Sequence, residues 1–440
     1  MVFLRGTSCP SWFKVLSSVG YSRKMRAIFG QRPLRFVFAA NVISMLGSGM
    51  NSAAVAWFVL KATHSEMALG MFAVLQTIPA IVMLPFTGVI IDREDRRRLV
   101  MWLDAVRGVI ILTVAVLAFQ HRVKVWQLYA MNTLVAAGFW MFWPTITALI
   151  QELTPEGEFV QSNTFLLAGV QGGWLIAGAI VGFMYDHIGL GGVLLIDVST
   201  YVVSFFCYFA VRKGRHVVIR PEELRADIVA AENQLERFWR EMREGLHFLR
   251  DHRAVVLLGT SWALFLGAMI TGVVVNPSLS ERVFHAGAKG YGWLNAGWGT
   301  GAFVSALYAP ATIARLGGRR AVAFSMALLS VCVACAPISG FLFLAILVYF
   351  IMGSARGVGG VAMNTSLMEM VPQHLMGRVQ NAFYFAGTFL QLVLALCVGA
   401  VAQKVSLVAA FSILALVYGL AFVASSWPLD VQVPEEVAAE

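Results

Sequence analysis

The stretch "GVIIDREDRRRLVMWLDAVR", residues 88–107, sets Asp92, Arg93, Glu94, Asp95, Arg96, Arg97 and Arg98 side by side. Before it, from Phe36 to Ile91, the only charged residues are Lys61 and Glu66. After it, from Leu99 to His121, they are Asp104 and Arg107. Each flank is long and apolar enough to cross a bilayer, which takes about 20 residues as a helix. The charge run therefore reads as a polar turn between two membrane-spanning helices.

The rest of the chain repeats this pattern. Of its 440 residues 59% are hydrophobic and 13% charged, against roughly a quarter charged in a soluble domain. The apolar runs are long and do not alternate, so they are helices and not barrel strands. Twelve spans are expected, at 35–61, 66–91, 98–120, 126–151, 160–185, 190–211, 254–280, 287–313, 320–337, 341–371, 378–402 and 405–426. The expected fold is an all-α polytopic membrane protein, twelve transmembrane helices in two six-helix bundles.

Twelve spans put both termini on one side, and basic residues choose the side. Twenty-five of the 33 lysines and arginines fall on the N-terminal side and six on the other, with Arg107 and Arg356 inside spans. Such a bias marks the cytoplasmic side of an inner membrane. It also accounts for the net charge of +9 without a nucleic-acid partner. The organisation is then a basic arm (1–34), a first bundle (35–211), a cytoplasmic linker (212–253), a second bundle (254–426) and an acidic tail (427–440). Met25 is a natural alternative start, so residues 1–24 are an expected extension. Within the linker, Leu235, Phe238, Trp239, Met242, Leu246 and Leu249 form an apolar helical stripe.

The two halves echo each other. "ELTPEGEFVQSN" (152–163) corresponds to "EMVPQHLMGRVQN" (369–381), and "DRRRLV" (95–100) to "LGGRRAV" (316–322). A repeat in the same orientation is the mark of a parallel-repeat transporter. With the GxxxDRxxRR pattern of Gly88, Asp92, Arg93, Arg96 and Arg97, the chain resembles the major facilitator superfamily. "SMLGSGM" (44–50), "LLIDVSTY" (194–201), "REGLHFLRDH" (243–252) and "VPQHLMGRV" (371–379) resemble its efflux branch of siderophore (enterobactin) exporters and macrolide pumps. The sequence departs from the family pattern at Asp95, where glycine is usual, at Ala314, where the second copy lacks its aspartate, and at Ser48, where some relatives carry an acid. A glycine-rich fifth span (Gly169, Gly173, Gly178, Gly182) resembles an antiporter motif but has Ala179 where proline is common.

The resemblance implies export of an amphipathic small molecule, a drug or siderophore, by alternating access. It implies a proton gradient as the drive, a monomer in contact with lipid, and no cofactor. A lipid flippase on the same fold and a transport-inactive partner subunit are the alternatives. The charged turn would be a cytoplasmic gate: Gly88 lets helix ends approach, Asp92 accepts from a neighbouring helix start, and Arg93, Arg96 and Arg97 reach carboxylates of the opposing bundle. Asp104 and Arg107, one turn apart, are expected in the same latch. Arg356 and Asp197 sit deep in spans, where charge is costly and marks a functional site or a buried partner. Asn51, Gln76, Trp140, Trp143, Gln171, Trp262, Trp298, Asn364 and Gln391 are candidate cavity residues, aromatic and amide groups suited to an amphipathic ligand. No phosphate-binding GxxxxGK[ST] motif occurs, the histidines lie in loops or at span ends, and Cys332 and Cys335 sit in an apolar helix without a second pair. Neither an ATP-driven pump, an enzyme nor a metal site is expected.

Overall fold

The computed structural model describes residues 32–154, 159–211, 240 and 243–427. The basic arm with Met25, most of the linker stripe and the acidic tail lie outside them. The described residues form helices α1 (Arg32–Thr63), α2 (Glu66–Arg93), α3 (Arg96–Phe119) and α4 (Val125–Leu153). A long helical stretch, Phe159–Ala210, breaks at Gly189 (φ 63°) into α5 and α6; such a φ is open to glycine without strain. The second half has α7 (Arg253–Ser278), α8 (Gly287–Leu316), α9 (Gly318–Cys335), α10 (Leu342–Met370), α11 (Gln373–Lys404) and α12 (Leu407–Ser426). A helix stands at each of the twelve expected positions. Ten helical stretches among the described residues are long and apolar enough to cross a membrane, α5 and α6 counting as one and glycine-rich α8 falling outside.

Local chemistry sets the boundaries. Asp95 caps α3, its carboxylate accepting from the backbone N–H of Arg97 (2.9 Å) and Arg98 (3.2 Å). An aspartate at this place therefore has a structural task, since an anion suits the exposed N–H groups of a helix start. Ser406 caps α12 in the same way through Ala409 (3.0 Å). Laterally, large apolar side chains such as Trp102, Phe206, Phe303 and Phe343 are exposed, as lipid-facing surfaces require.

The helices alternate direction, so the turns fall on two faces. The basic face carries Arg96–Arg98, Arg319, Arg320 and Arg378; the far face carries the turns at 63–66, 120–124, 279–287 and 404–407. The halves meet where α2 packs on α11 and α5 on α8, and glycines make the approach possible. A Cβ on Gly182 would stand 2.3 Å from Gly292 Cα, and one on Gly70 2.6 Å from the Ala395 carbonyl oxygen.

Within the second half, α8 and α10 touch backbone to backbone. A Cβ on Gly301 would lie 1.9 Å from the Phe350 carbonyl oxygen, and one on Gly353 1.8 Å from that of Trp298. Gly301→Val is therefore expected to lower stability by about 1–3 kcal/mol, the usual cost of overpacking, or more. Thermal denaturation of the detergent-solubilised protein would show it; a melting curve like that of the unchanged chain would contradict this packing.

Candidate functional site

A cavity of about 590 Å3 lies between the halves, within the range of small-molecule pockets. The first half supplies Ser48, Asn51, Gln76, Arg107, Asn132, Phe139, Trp140 and Tyr201. The second supplies Phe265, Met269, Asn276, Tyr291, Asn295, Trp298, Tyr349, Arg356, Gln391 and Tyr418. The halves join at its wall through Gln391, whose side-chain N–H donates to Thr77 Oγ1 at 2.6 Å.

Its far side is closed by polar contacts between the halves. Lys61 pairs with Glu281 (2.6 Å) and Arg282 with buried Glu66 (3.0 Å), while Arg282 also donates to the His64 carbonyl (3.0 Å). Gln403 accepts from Ser65 Oγ (2.7 Å) and the Met67 backbone N–H (3.2 Å). Ring stacking of Trp57 on Tyr291 at 6.1 Å adds an apolar layer. This is a conformation with the far face shut.

At the basic face the arginines bind within their own half. Arg97 donates to the Tyr208 and Phe209 carbonyls, both at 2.7 Å. Arg96 approaches Glu152 (3.5 Å) and the Ala148 carbonyl (3.4 Å). These contacts tie α3 to α4 and α6, in place of the expected contacts across to the second bundle. Gly88, Asp92 and Arg93 lie in the last turns of α2, and their side chains fall outside the described residues. Among the described linker residues, Glu244 pairs with Arg378 (2.8 Å), Gly245 lies against the Arg378 backbone, and Phe248 and Leu249 pack on the main apolar core.

Asp104 and Arg107 pair with each other as expected, but not in a latch at the basic face. Arg107 lies about 16 Å along α3 from Arg96 at 1.5 Å per residue, which puts it at mid-depth, on the cavity wall. Asp104 is 0% and Arg107 1% exposed. The guanidinium lies between the rings of Phe142 (4.6 Å) and Tyr201 (4.7 Å), and Gly138 leaves room for its stem. Ser204 donates to the second oxygen of Asp104 at 2.6 Å.

Asp197 belongs to the same seam. With Tyr201, Ser204 and Tyr208 it forms one buried stripe on α6, at helical spacing. Asn51 Nδ2 donates to its carboxylate at 2.7 Å and Thr200 Oγ1 at 3.4 Å. Gly47 lets α1 lie over both, since a Cβ there would meet Asp197 Oδ1 at 2.4 Å. Asp197 does not itself line the cavity; Asn51 connects it. Ser48 and Tyr201 share a hydrogen bond (2.9 Å) beside this connection.

In the second half Arg356 lies over the Trp298 ring at 4.9 Å and donates from Nε to the Met269 thioether at 3.0 Å. Asn51, Gln76, Trp140, Trp298 and Gln391 thus line the cavity as expected, and Arg356, expected only as a deep charge, lines it too. Three others do not. Trp143, one turn nearer the basic face, packs against the smaller apolar core of the first half. Trp262 is buried against Phe265 (5.4 Å) and Tyr384 (6.2 Å). Asn364, near the basic end of α10, accepts from Gln380 at 3.5 Å. The side chain of Gln171 is outside the described residues. The structure adds Asn132, Asn276, Asn295 and the tyrosines 201, 291, 349 and 418. Tyr349 donates to Asn276 at 2.7 Å. The three asparagines were visible as amides inside apolar runs, whereas a buried tyrosine reads as packing.

Two helical bundles close a polar-and-aromatic cavity between them, with ion pairs at one mouth. The Major Facilitator Superfamily family model matches residues 37–389, and the chain belongs to that family. It is 23% identical over 265 residues to macrolide efflux protein A of Streptococcus pyogenes, covering 57% of this chain and 63% of that one. It is 30% identical over 210 residues to the putative bacilysin exporter BacE of Bacillus subtilis, 47% of each. The match thus spans under two thirds of these relatives. Among solved structures, a bacterial homologue of the iron transporter ferroportin in the inward-facing state superposes with a TM-score of 0.70, covering 90% of this chain and 99% of that one at 14% identity. That likeness concerns the fold.

Proposed function

We propose that this chain exports an amphipathic small molecule, of the drug or siderophore kind, across the cytoplasmic membrane in exchange for protons. The observation that carries the reading is the cavity between the halves, shut at the far face and walled by aromatic rings, amides and two guanidinium groups. In this reading the basic face is cytoplasmic. The ion pairs of Lys61 with Glu281 and Arg282 with Glu66 form the outer gate, which opens as the bundles rock. Efflux-type relatives support the outward direction.

Coupling is placed at the seam of α1, α3 and α6. There, two carboxylates, Asp104 and Asp197, lie near one guanidinium, Arg107, which contacts Asp104. Asp104 is matched by Arg107 at contact distance, so Asp197 is the carboxylate in excess. Charge in so dry a place is costly, and a proton on Asp197 neutralises it. Asn51 and Tyr201, which touch both the seam and the cavity, would let an arriving substrate change that cost. The groups around Asp197 are Asn51 of α1, Arg107 and Asp104 of α3, and Thr200 and Tyr201 of its own helix, with Ser48 of α1 bonded to Tyr201.

The test uses inside-out vesicles with an acid interior and a pH-sensitive dye, to which a panel of amphipathic compounds is added. Compound-dependent proton release, absent from vesicles lacking the chain, is expected. Silence across the panel, together with chain-dependent movement of a fluorescent lysolipid, would replace this reading with lipid flipping.

A further inference from the structure

We infer that the molecule taken by this cavity has a hydroxyl-rich polar end: an apolar or aromatic body joined to a polyol or sugar. The inference rests on the export reading of the same cavity and adds the chemistry of its substrate. It follows from how the amide side chains of the wall are used.

A side-chain amide has two N–H donors and two lone pairs on its oxygen. Which end faces the protein is fixed by what the partner can do. Asn132 Nδ2 donates to the Phe72 carbonyl at 3.3 Å, and Asn295 Nδ2 to the Tyr291 carbonyl at 2.8 Å. Asn51 Nδ2 donates to the Asp197 carboxylate at 2.7 Å. All three partners are acceptors, so the N–H end must face them. Gln391 Nε2 donates to Thr77 Oγ1 at 2.6 Å, and that hydroxyl has already given its proton to the Ala73 carbonyl at 2.8 Å.

Four cavity-lining amides, two from each half, thus spend an N–H on the protein and keep the carbonyl oxygen. Each has two lone pairs left against one N–H. Asn295 has the Tyr291 hydroxyl beside it; the oxygens of Asn51, Asn132 and Gln391 have no donor among the described residues. Only Asn276 has the opposite sense, its oxygen accepting from Tyr349 at 2.7 Å. Hydroxyl groups match such a wall, since they donate to the oxygens and accept from the N–H groups that remain. An ammonium only donates, and among the described lining residues there is no aspartate or glutamate to offset its charge, which a dry site requires. Trp140, Phe265 and Trp298 offer apolar faces to the body of the ligand. A ligand without hydroxyls leaves the amide oxygens unmatched, the kind of loss that polar sites discriminate against.

N-dansylglucamine, the dansyl amide of a methoxy-capped ethylene glycol amine, and dansyl-ethylenediamine share one fluorescent body. They present hydroxyls, ether oxygens without donors, and an ammonium. Binding to the full chain in phosphatidylcholine discs is followed by dansyl fluorescence, with empty discs subtracted. The glucamine compound is expected to bind about tenfold more tightly than the ether, and the ammonium no better than the ether. Asn132→Leu and Gln391→Met should each reduce the preference of hydroxyl over ether by about threefold, the scale of one neutral hydrogen bond. Ether binding that persists in a variant reports an intact cavity, and Asn295→Leu repeats the test from the second half should Gln391→Met fail to fold. Displacement of N-dansylglucamine by a sugar-headed lysolipid and not by a free methyl glycoside would support the same hydroxyl chemistry with a lipid as its source. Ether binding as tight as glucamine binding would overturn the inference, as would tightest binding of the ammonium or a hydroxyl preference unchanged in every variant. These outcomes are separate from the vesicle test. A hydroxyl preference without proton release would count against coupled export alone, and proton release elicited only by compounds lacking hydroxyls would leave export standing and overturn the hydroxyl-rich substrate.

Discussion

Asp104→Ala is expected to destabilise the protein by about 3–5 kcal/mol, the cost of leaving a buried charge without its partner. Arg107 is almost wholly buried, and the two rings that flank it supply attraction but no counter-charge. Ser204 would also lose the oxygen to which it donates. Replacing both partners by apolar residues of similar size, Asp104→Leu with Arg107→Met, should cost much less, because no unpaired charge remains. A double-mutant cycle on detergent-solubilised protein, followed by thermal or denaturant unfolding, measures the coupling. Additive losses would mean that the two side chains do not act as a buried pair. The double variant should still fail in transport, since Arg107 is part of the cavity wall.

Asp197→Asn should leave stability close to that of the unchanged chain and abolish gradient-driven export. Asparagine keeps the shape of the side chain; its carbonyl oxygen, in the place of Oδ2, can still accept from Asn51, and Thr200 keeps its bond to the backbone carbonyl of residue 197. What it cannot do is carry a proton. The variant should therefore bind ligand and allow exchange down a concentration gradient, yet show no compound-dependent proton release in inside-out vesicles. Proton release equal to that of the unchanged chain would remove Asp197 from the coupling path and redirect attention to Asp104.

The twelve helices were legible because the membrane enforces a simple code. Backbone groups in lipid must bond within the segment, so spans are long and apolar and charge collects in turns. The first span, expected at 35–61, is Arg32–Thr63, and the break between the fifth and sixth falls at Gly189. Depth was harder to read. Arg107 follows the charged turn closely in sequence, which suggested a gate at the membrane surface, but eleven helical residues reach about 16 Å inward. Facing was harder still. Asn51, Gln76, Gln391 and Arg356 were found because a polar group inside an apolar run has few reasons to be there. Trp143 and Trp262 carry the same aromatic signature as Trp140 and Trp298, yet they point into protein cores, and nothing in local spacing separates the two pairs. The far-face pairs of Lys61 with Glu281 and Arg282 with Glu66 join distant parts of the chain, so only the packing of the two halves brings them together.

The central claim is that substrate crosses through the cavity by opening of the far face. Lys61→Cys with Glu281→Cys, in a chain whose native cysteines are replaced, allows that face to be clamped by a cleavable bis-maleimide, since the two side chains touch at 2.6 Å. Uptake of a compound that elicits proton release in the vesicle test is then followed in inside-out vesicles before clamping, after clamping and after cleavage of the linker. The account predicts that clamping stops uptake while binding at the basic face persists, and that cleavage restores transport. Uptake that continues at its original rate with the far face clamped would contradict it.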